Sequence, residues 1–283
     1  MPWVFNRSEH DAPENTLYFG VELEFAVNRL VGDEYRSTLP PWITSDFDSS
    51  IDCGPDDLGV EWKFHPSTWL WWWENRWHVM RLLKTLTRLD AESSTQWRCG
   101  LHVHFSNVLS VEHLVNVMQF VYSQKNDILA LSRRDEQQMD QYSRLYPLAD
   151  GVWVYDANNQ PLPAHLQTCQ TCRASETRPI HLVVTDPGPP LRQRLSECLP
   201  DDHYDAVNVT DHGTVEVRIF AGALDATEFY GSLEFVKTLI DYTNPNNGYN
   251  HETDCNLMQY RRWLHHVSAP DVKRILNQTL GRV

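Results

Sequence analysis

Three short stretches place chemistry-bearing side chains at alternate positions. Gly20-Val21-Glu22-Leu23-Glu24-Phe25 carries two carboxylates, and Cys99-Gly100-Leu101-His102-Val103-His104-Phe105 carries two imidazoles. Thr214-Val215-Glu216-Val217-Arg218-Ile219-Phe220 carries a carboxylate and a guanidinium. In an extended chain successive side chains point to opposite faces, so each stretch has a charged front and an apolar back. A fourth stretch, Gly59-Val60-Glu61-Trp62-Lys63-Phe64, alternates in the same way and puts Glu61 and Lys63 on one face. If the apolar backs share one core, the fronts converge into a cluster of Glu22, Glu24, His102, His104, Glu216 and Arg218. Such a cluster is costly to build unless a cation or a polyanionic ligand neutralises it.

The donor types narrow the chemistry. Carboxylates with one or two imidazoles and no thiolate suit hard or borderline divalent ions, Mg²⁺, Mn²⁺ or Zn²⁺. Glu22 and Glu24 on one strand face serve two neighbouring ions rather than chelating one. Two close ions with an arginine beside them clamp the β- and γ-phosphates of a nucleotide. In that setting Glu216 would bind the ion and Arg218 would meet the transferred phosphoryl group. Taken singly, a Glu-x-Glu or Glu-x-Arg strand is ordinarily a solvated face and His-x-His is ordinarily structural. Their conjunction in one chain is what points to a site. The sequence holds no Gly-rich phosphate loop, no Gly-x-Ser-x-Gly elbow and no His-Glu-x-x-His pair. Cys169-x-x-Cys172 lacks two further ligands at a zinc spacing, which favours structural or incidental thiols.

The surrounding chain must fold to position these strands. Its 283 residues suffice for a substantial core, and 41% hydrophobic with 22% charged residues is a globular composition. The formal net charge of -14 argues against a general nucleic-acid or anionic-membrane surface, because such surfaces rely on Lys and Arg. No stretch approaches the length of a membrane span, and the first residues do not read as a signal peptide. The expectation is a cytoplasmic protein with reduced thiols.

Strands are expected over 17–25 and 59–64, with a short strand and an Asp/Ser-rich loop within 42–51. Residues 67–90 read as one long helix capped by Ser67 or Thr68, with Trp69, Trp73, Trp77, Met80, Leu83 and Leu86 on the face packed against the sheet. A stacking platform for sugars or bases is the alternative use of those tryptophans. A second helix is expected from Ser110 to about 132, with only half a capping box, since His113 stands where Glu or Gln belongs. Residues 133–205 change character and read as an irregular insertion or lid within a single domain, 1–283. Helices follow at about 227–242, 254–266 and 270–280, with Asn244-Pro-Asn-Asn-Gly248 as a break.

In chain order, Gly20-Val-Glu22-Leu-Glu24-Phe, Asp48-Ser-Ser50, Gly59-Val-Glu61 with Pro66, Gly100-Leu-His102-Val-His104 and Gly213-Thr-Val-Glu216-Val-Arg218 resemble the amidoligases. These belong to the carboxylate-amine ligase superfamily, with glutamate-cysteine ligase and glutamine synthetase. The resemblance implies an α+β fold: an antiparallel sheet curved into a funnel, helices on its outer face, ATP entering one end and the amino substrate the other. It implies that Glu24 and Glu61 hold one Mg²⁺ (or Mn²⁺), and that Glu22, His102 and Glu216 hold a second. Arg218 would bind the γ-phosphate, with Ser50 and Lys63 completing the nucleotide-binding set. Asp48 would accept the proton of the attacking amine, and His104 would stand either behind the metal ligands or on the substrate side. Asp48 and Ser50 match an Asp-Gly-Ser of the ligases, with Ser49 where glycine is common.

The implied reaction is ATP-dependent amide formation through an acyl phosphate. Its substrates would be carboxylates and amines of amino acids, peptides or proteins, with no nucleic acid and no membrane as partner. The tryptophan-rich helix offers surface for an oligomer. Two other readings stay open: an ATP-independent metal-dependent hydrolase using His102, His104 and nearby carboxylates, and a non-catalytic binding module.

Overall fold

A computed structural model of the chain describes residues 16–31, 39–93, 99–106, 108–145, 152–155, 180–183, 205–210 and 214–279. The Cys169/Cys172 pair, Gly213 and most of the insertion read at 133–205 lie outside the described residues.

The alternating stretches form one antiparallel sheet. Its strands are β1 (Tyr18–Asn28), β2 (Ile43–Phe47), β3 (Asp57–Thr68), β4 (Gly100–Ser106), β7 (Val207–Val209) and β8 (Thr214–Ala221), in the order β2-β3-β1-β4-β8-β7. Among the described residues the sheet is open rather than closed, so the mixed helix-and-strand class holds while a funnel is not established. A separate parallel pair joins β5 (Val152–Tyr155) to β6 (Ile180–Val183).

The apolar back of the sheet is fully buried: Val21, Leu23 and Phe25 on β1, Leu101, Val103 and Phe105 on β4, and Val215 and Val217 on β8. Between Val217 and Phe220 the register shifts by one residue, and Phe220, not Ile219, comes opposite Leu101. A β-bulge of this kind breaks the period of two that the sequence pattern assumed. Phe220 then packs edge-to-face against Phe235 with centroids 6.0 Å apart.

Helices cover that back. The long helix expected over 67–90 is two, α1 (Trp69–Glu74) and α2 (Arg76–Arg88), broken at Asn75. Thr68 caps the first, its side chain accepting from Trp71 N–H. The break rotates the buried face: Trp72, Val79, Leu83 and Leu86 enter the core, whereas Trp73 and Trp77 are 47% and 65% exposed. Trp72 packs against Phe64 and Phe229 and donates its indole N–H to Phe19 O at 3.0 Å.

The helix expected over 110–132 is likewise two, α3 (Val111–Ser123) and α4 (Lys125–Ser132), with Ser110 capping the first through His113 N–H. The break falls at Gln124, whose side-chain amide donates to Cys255 O. A third helix, α5 (Glu136–Tyr142), carries a full capping box from Asp135 and Gln138, so this part of the insertion is regular.

Helix α6 (Ala226–Tyr242) is buried along nearly its whole length and carries Phe229, Leu233, Phe235, Val236 and Leu239 into the core. The C-terminal segment forms α7 (His251–Asp254), α8 (Leu257–Leu264) and α9 (Pro270–Thr279). Helix α9 docks on α6 where Gly231 leaves room; a Cβ there would stand 2.1 Å from Ile275 Cδ1. Among the described residues no helix is long and apolar enough to cross a membrane.

Candidate active site on the sheet front

Strand register assembles the front. β1 lies between β3 and β4, pairing Glu22 with Lys63 on one side and with His102 on the other. One row along, Glu24 faces Glu61, and Glu61 faces Asp46 of β2. On the other flank His104 pairs with Glu216, which in turn faces Asn208 of β7. Like charges directly opposite on adjacent strands are destabilising, so a run of three carboxylates across β2, β3 and β1 needs a compensating charge.

The contacts are close. His104 Nε2 lies 3.3 Å from Glu22 Oε2 and 3.7 Å from Glu216 Oε1. His102 Nδ1 lies 3.4 Å from Glu22 Oε2 and 3.3 Å from Glu216 Oε1, and its Nε2 is 3.7 Å from Glu24 Oε1. Gly100 N–H donates to Glu24 Oε2 at 2.6 Å, fixing that carboxylate at the start of β4. Arg218 Nη1 donates to Glu216 Oε1 at 2.7 Å. Lys63 Nζ sits 2.7 Å from Glu61 Oε2 and 3.3 Å from Asp46 Oδ2.

Asp48 is brought to the cluster by a close backbone approach. Its N–H donates to Gly59 O at 3.0 Å, and a Cβ on Gly59 would fall 2.3 Å from Asp48 O. Only glycine leaves the 48–51 loop that close to β3. Ser50 acts through its backbone, donating N–H to Asp48 Oδ1 at 2.8 Å, while its side chain is exposed.

The electrostatics follow from burial against crowding. Burial, then the charge of Glu22, pushes the Glu61 carboxyl up to about 7 despite Lys63 beside it. Burial works against a charged His104, yet Glu22 and Glu216 push it up to about 9. Burial also opposes the Glu22 charge, but His104 and His102 hold its carboxyl well below the usual range.

Three overlapping sets of ligand atoms lie within 4.8 Å of one another: Glu22, His104 and Glu216; Glu22, Glu61 and His102; Glu24, Asp48 and Glu61. Glu22 and Glu61 are each shared between two sets. This all-carboxylate-and-imidazole donor set fits hard or borderline divalent cations. It also puts His104 in a ligand-bearing set and gathers Asp48 to the Glu24/Glu61 pair, a grouping different in detail from the one the resemblance implies. Every sequence-derived site residue other than Ser50 brings its side chain to this face.

Two contributors escaped the sequence pattern. Asp46 lay in what read as a loop, and its role follows from pairing with Glu61. Arg134 follows the last turn of α4, and nothing in its local sequence signals that it reaches the sheet front.

A family model described as "putative amidoligase enzyme" matches residues 72–240, 169 of the 283 residues. The fold and site are those of a mixed helix-and-strand protein with a cation-suited sheet face, and the chain belongs to the amidoligase family. The family's name is that of amide-bond-forming ligases. The matched span contains His102, His104, Glu216 and Arg218 and begins after β3, so Glu22, Glu24 and Glu61 join the site through strand pairing and Asp48 through the close approach of its loop to Gly59. Among curated proteins the chain has no match.

Proposed function

We propose that the protein is an ATP-dependent carboxylate-amine ligase whose sheet front binds Mg·ATP. What carries the proposal is the row of like charges, Asp46, Glu61 and Glu24, placed opposite one another on adjacent strands beside His102, His104 and Arg218. Family membership supports the amide-forming class.

In this reading Glu22, Glu24, Glu61, His102, Glu216 and His104 supply the ligands for divalent ions, with Asp48 beside Glu24 and Glu61. Bound Mg²⁺ or Mn²⁺ would neutralise the phosphates of the nucleotide. Lys63 balances the acidic rim, with Ser50 at the tip of the Asp48 turn. Arg218, held by Glu216, meets the γ-phosphoryl group.

The substrate carboxylate oxygen attacks the γ-phosphorus, the bond to ADP breaks, and an acyl phosphate forms. An amine then attacks the carbonyl carbon and phosphate leaves with the former carboxylate oxygen. Asp48 takes the amine's proton. The substrates are the carboxylate and the amine of amino acids, peptides or proteins. The protein contributes charge neutralisation and positioning, as in phosphoryl transfer generally.

The test is Mg·ATP binding by calorimetry, comparing wild type with Glu24→Ala and Arg218→Ala. Mg²⁺-dependent binding in wild type that both substitutions weaken tenfold or more, on the order expected for charge-assisted contacts, supports the ligase. Nucleotide-independent tight binding of Zn²⁺ or Mn²⁺, with no affinity for ATP, would move the assignment to a metal-dependent hydrolase.

A further inference from the structure

The corner between α4 and α5 carries a buried cation that the reading above leaves unused. Arg134 is only 6% exposed. Its guanidinium passes the end of β8, where Nη2 donates to Phe220 O at 3.0 Å, and reaches the sheet front. There, Nη2 would stand 2.9 Å from a Cβ built on Gly100, and His102 Nε2 would stand 2.6 Å from the same point. Gly100 thus vacates the space into which Arg134 and His102 both project.

Among the described residues one further donor of Arg134 stays unused. Its Nε is buried with no hydrogen-bond partner, and among the described residues it forms no ion pair with a carboxylate. Arg218 has the same unused Nε, also buried. Arg218 lies on the other side of the His102 ring: its Nη1 and His102 Nδ1 stand 2.7 and 3.3 Å from the same Glu216 Oε1, while His102 Nε2 faces Arg134 across Gly100. The charge of Glu24 supports that of Arg134 and the charge of Arg218 works against it. A purely structural buried arginine is ordinarily paired, because an uncompensated buried charge is costly. Two guanidinium groups with spare donors suit one multidentate anion, since the planar fork matches phosphate and carboxylate oxygens.

We propose that Arg134 and Arg218 together form an oxyanion site, and that its occupant is the phosphoryl group transferred from ATP. The identity of the occupant rests on the ligase reading; the oxyanion chemistry does not. The substrate carboxylate is the other source of the same chemistry.

The experiment titrates inorganic phosphate, with Mg²⁺ present, into full-length wild type, Arg134→Gln, Arg134→Lys and Arg133→Gln. Affinity is read by calorimetry and folding by thermal melting. Arg133 is the control: it donates Nη2–H to Ala221 O at 2.8 Å, a comparable backbone tie one residue away. The expected result is saturable phosphate binding to wild type that both Arg134 variants weaken roughly tenfold or more, as for loss of a charged hydrogen bond. Arg133→Gln should lower the melting temperature and leave phosphate affinity unchanged.

Absence of phosphate binding in wild type, or wild-type affinity in a folded Arg134 variant, overturns the site. If Arg134→Gln does not fold, Arg134→Lys decides, because it keeps a charge and a donor towards Phe220 O. Mg·ATP against Mg·ADP then identifies the source. Selective loss of Mg·ATP affinity in Arg134→Lys supports the phosphoryl group; wild-type affinity for both nucleotides overturns that assignment in favour of the carboxylate. A wild type that binds phosphate but not Mg·ATP counts against the ligase and not against the oxyanion site.

Discussion

Glu61 concentrates the conflict on which the site is built. It faces Glu24 on one neighbouring strand and Asp46 on the other, and burial together with Glu22 pushes its carboxyl up to about 7. Without a cation, the charged form of Glu61 therefore costs stability, even with Lys63 at 2.7 Å. Glu61→Gln should raise the melting temperature of the ion-free protein by about 2–4 °C, the shift that roughly 1 kcal/mol produces in a chain of this size. The same substitution should remove the added stability that saturating Mg²⁺ gives wild type. A melting experiment with and without Mg²⁺ measures both. A variant less stable than wild type when ion-free, yet equally stabilised by Mg²⁺, would contradict the assignment. At this scale the sequence was informative where alternation held: Glu22, Glu24, Glu61, His102, His104 and Glu216 were recognisable because each sits between apolar neighbours on a strand. Arg134 was not, because a residue following a helix carries no periodic signature and its placement depends on how α4 meets the end of β8.

Elements explain what the patterns misjudged. The tryptophan run has helical spacing at Trp69, Trp73 and Trp77, but the break at Asn75 turns the chain so that Trp72 is buried and Trp77 is left in solvent. Composition alone could not show this, since neither face of the run is polar. The β8 bulge is similarly silent, because Ile219 and Phe220 are both apolar and either could occupy the back. Helix α9 is held by a different device. Glu234 of α6 accepts the N–H groups of Asp271 and Val272 at 2.8 and 3.0 Å, with Arg76 bridging to Asp271 at 2.5 Å. Burial pushes Glu234 up to about 7, with the Val272 N–H pulling the other way. Because its folded value lies above the unfolded 4.5, the unfolded chain holds fewer protons between those limits, and stability falls as pH rises from about 4.5 to 7. Urea midpoints at pH 5 and pH 7.5 should therefore differ more in wild type than in Glu234→Gln. An equal decline in both proteins would remove Glu234 as its source.

At the scale of the whole molecule, one apolar sheet face packs on helices while the other face collects charge, and these two facts have the same origin. The residues that bury Val21, Leu23, Phe25, Leu101 and Val103 fix the register that brings Glu24 opposite Glu61 and Glu22 opposite His102. The strands and their two faces were legible from alternation, whereas the antiparallel sheet was an expectation of the family resemblance. The open order β2-β3-β1-β4-β8-β7 was not, because pairing between distant strands is set by packing that no single stretch contains. The family match begins downstream of β3, so the acidic half of the site depends on this long-range pairing. The most direct test is a crystal grown with Mn²⁺ and a non-hydrolysable ATP analogue, with the manganese located by anomalous scattering. Manganese is expected on the sheet front, coordinated by residues drawn from Glu22, Glu24, Glu61, His102, His104 and Glu216, with the terminal phosphate at Arg218. Manganese bound elsewhere with this face empty, or nucleotide seated away from it, would rule out the ligase site proposed for this face.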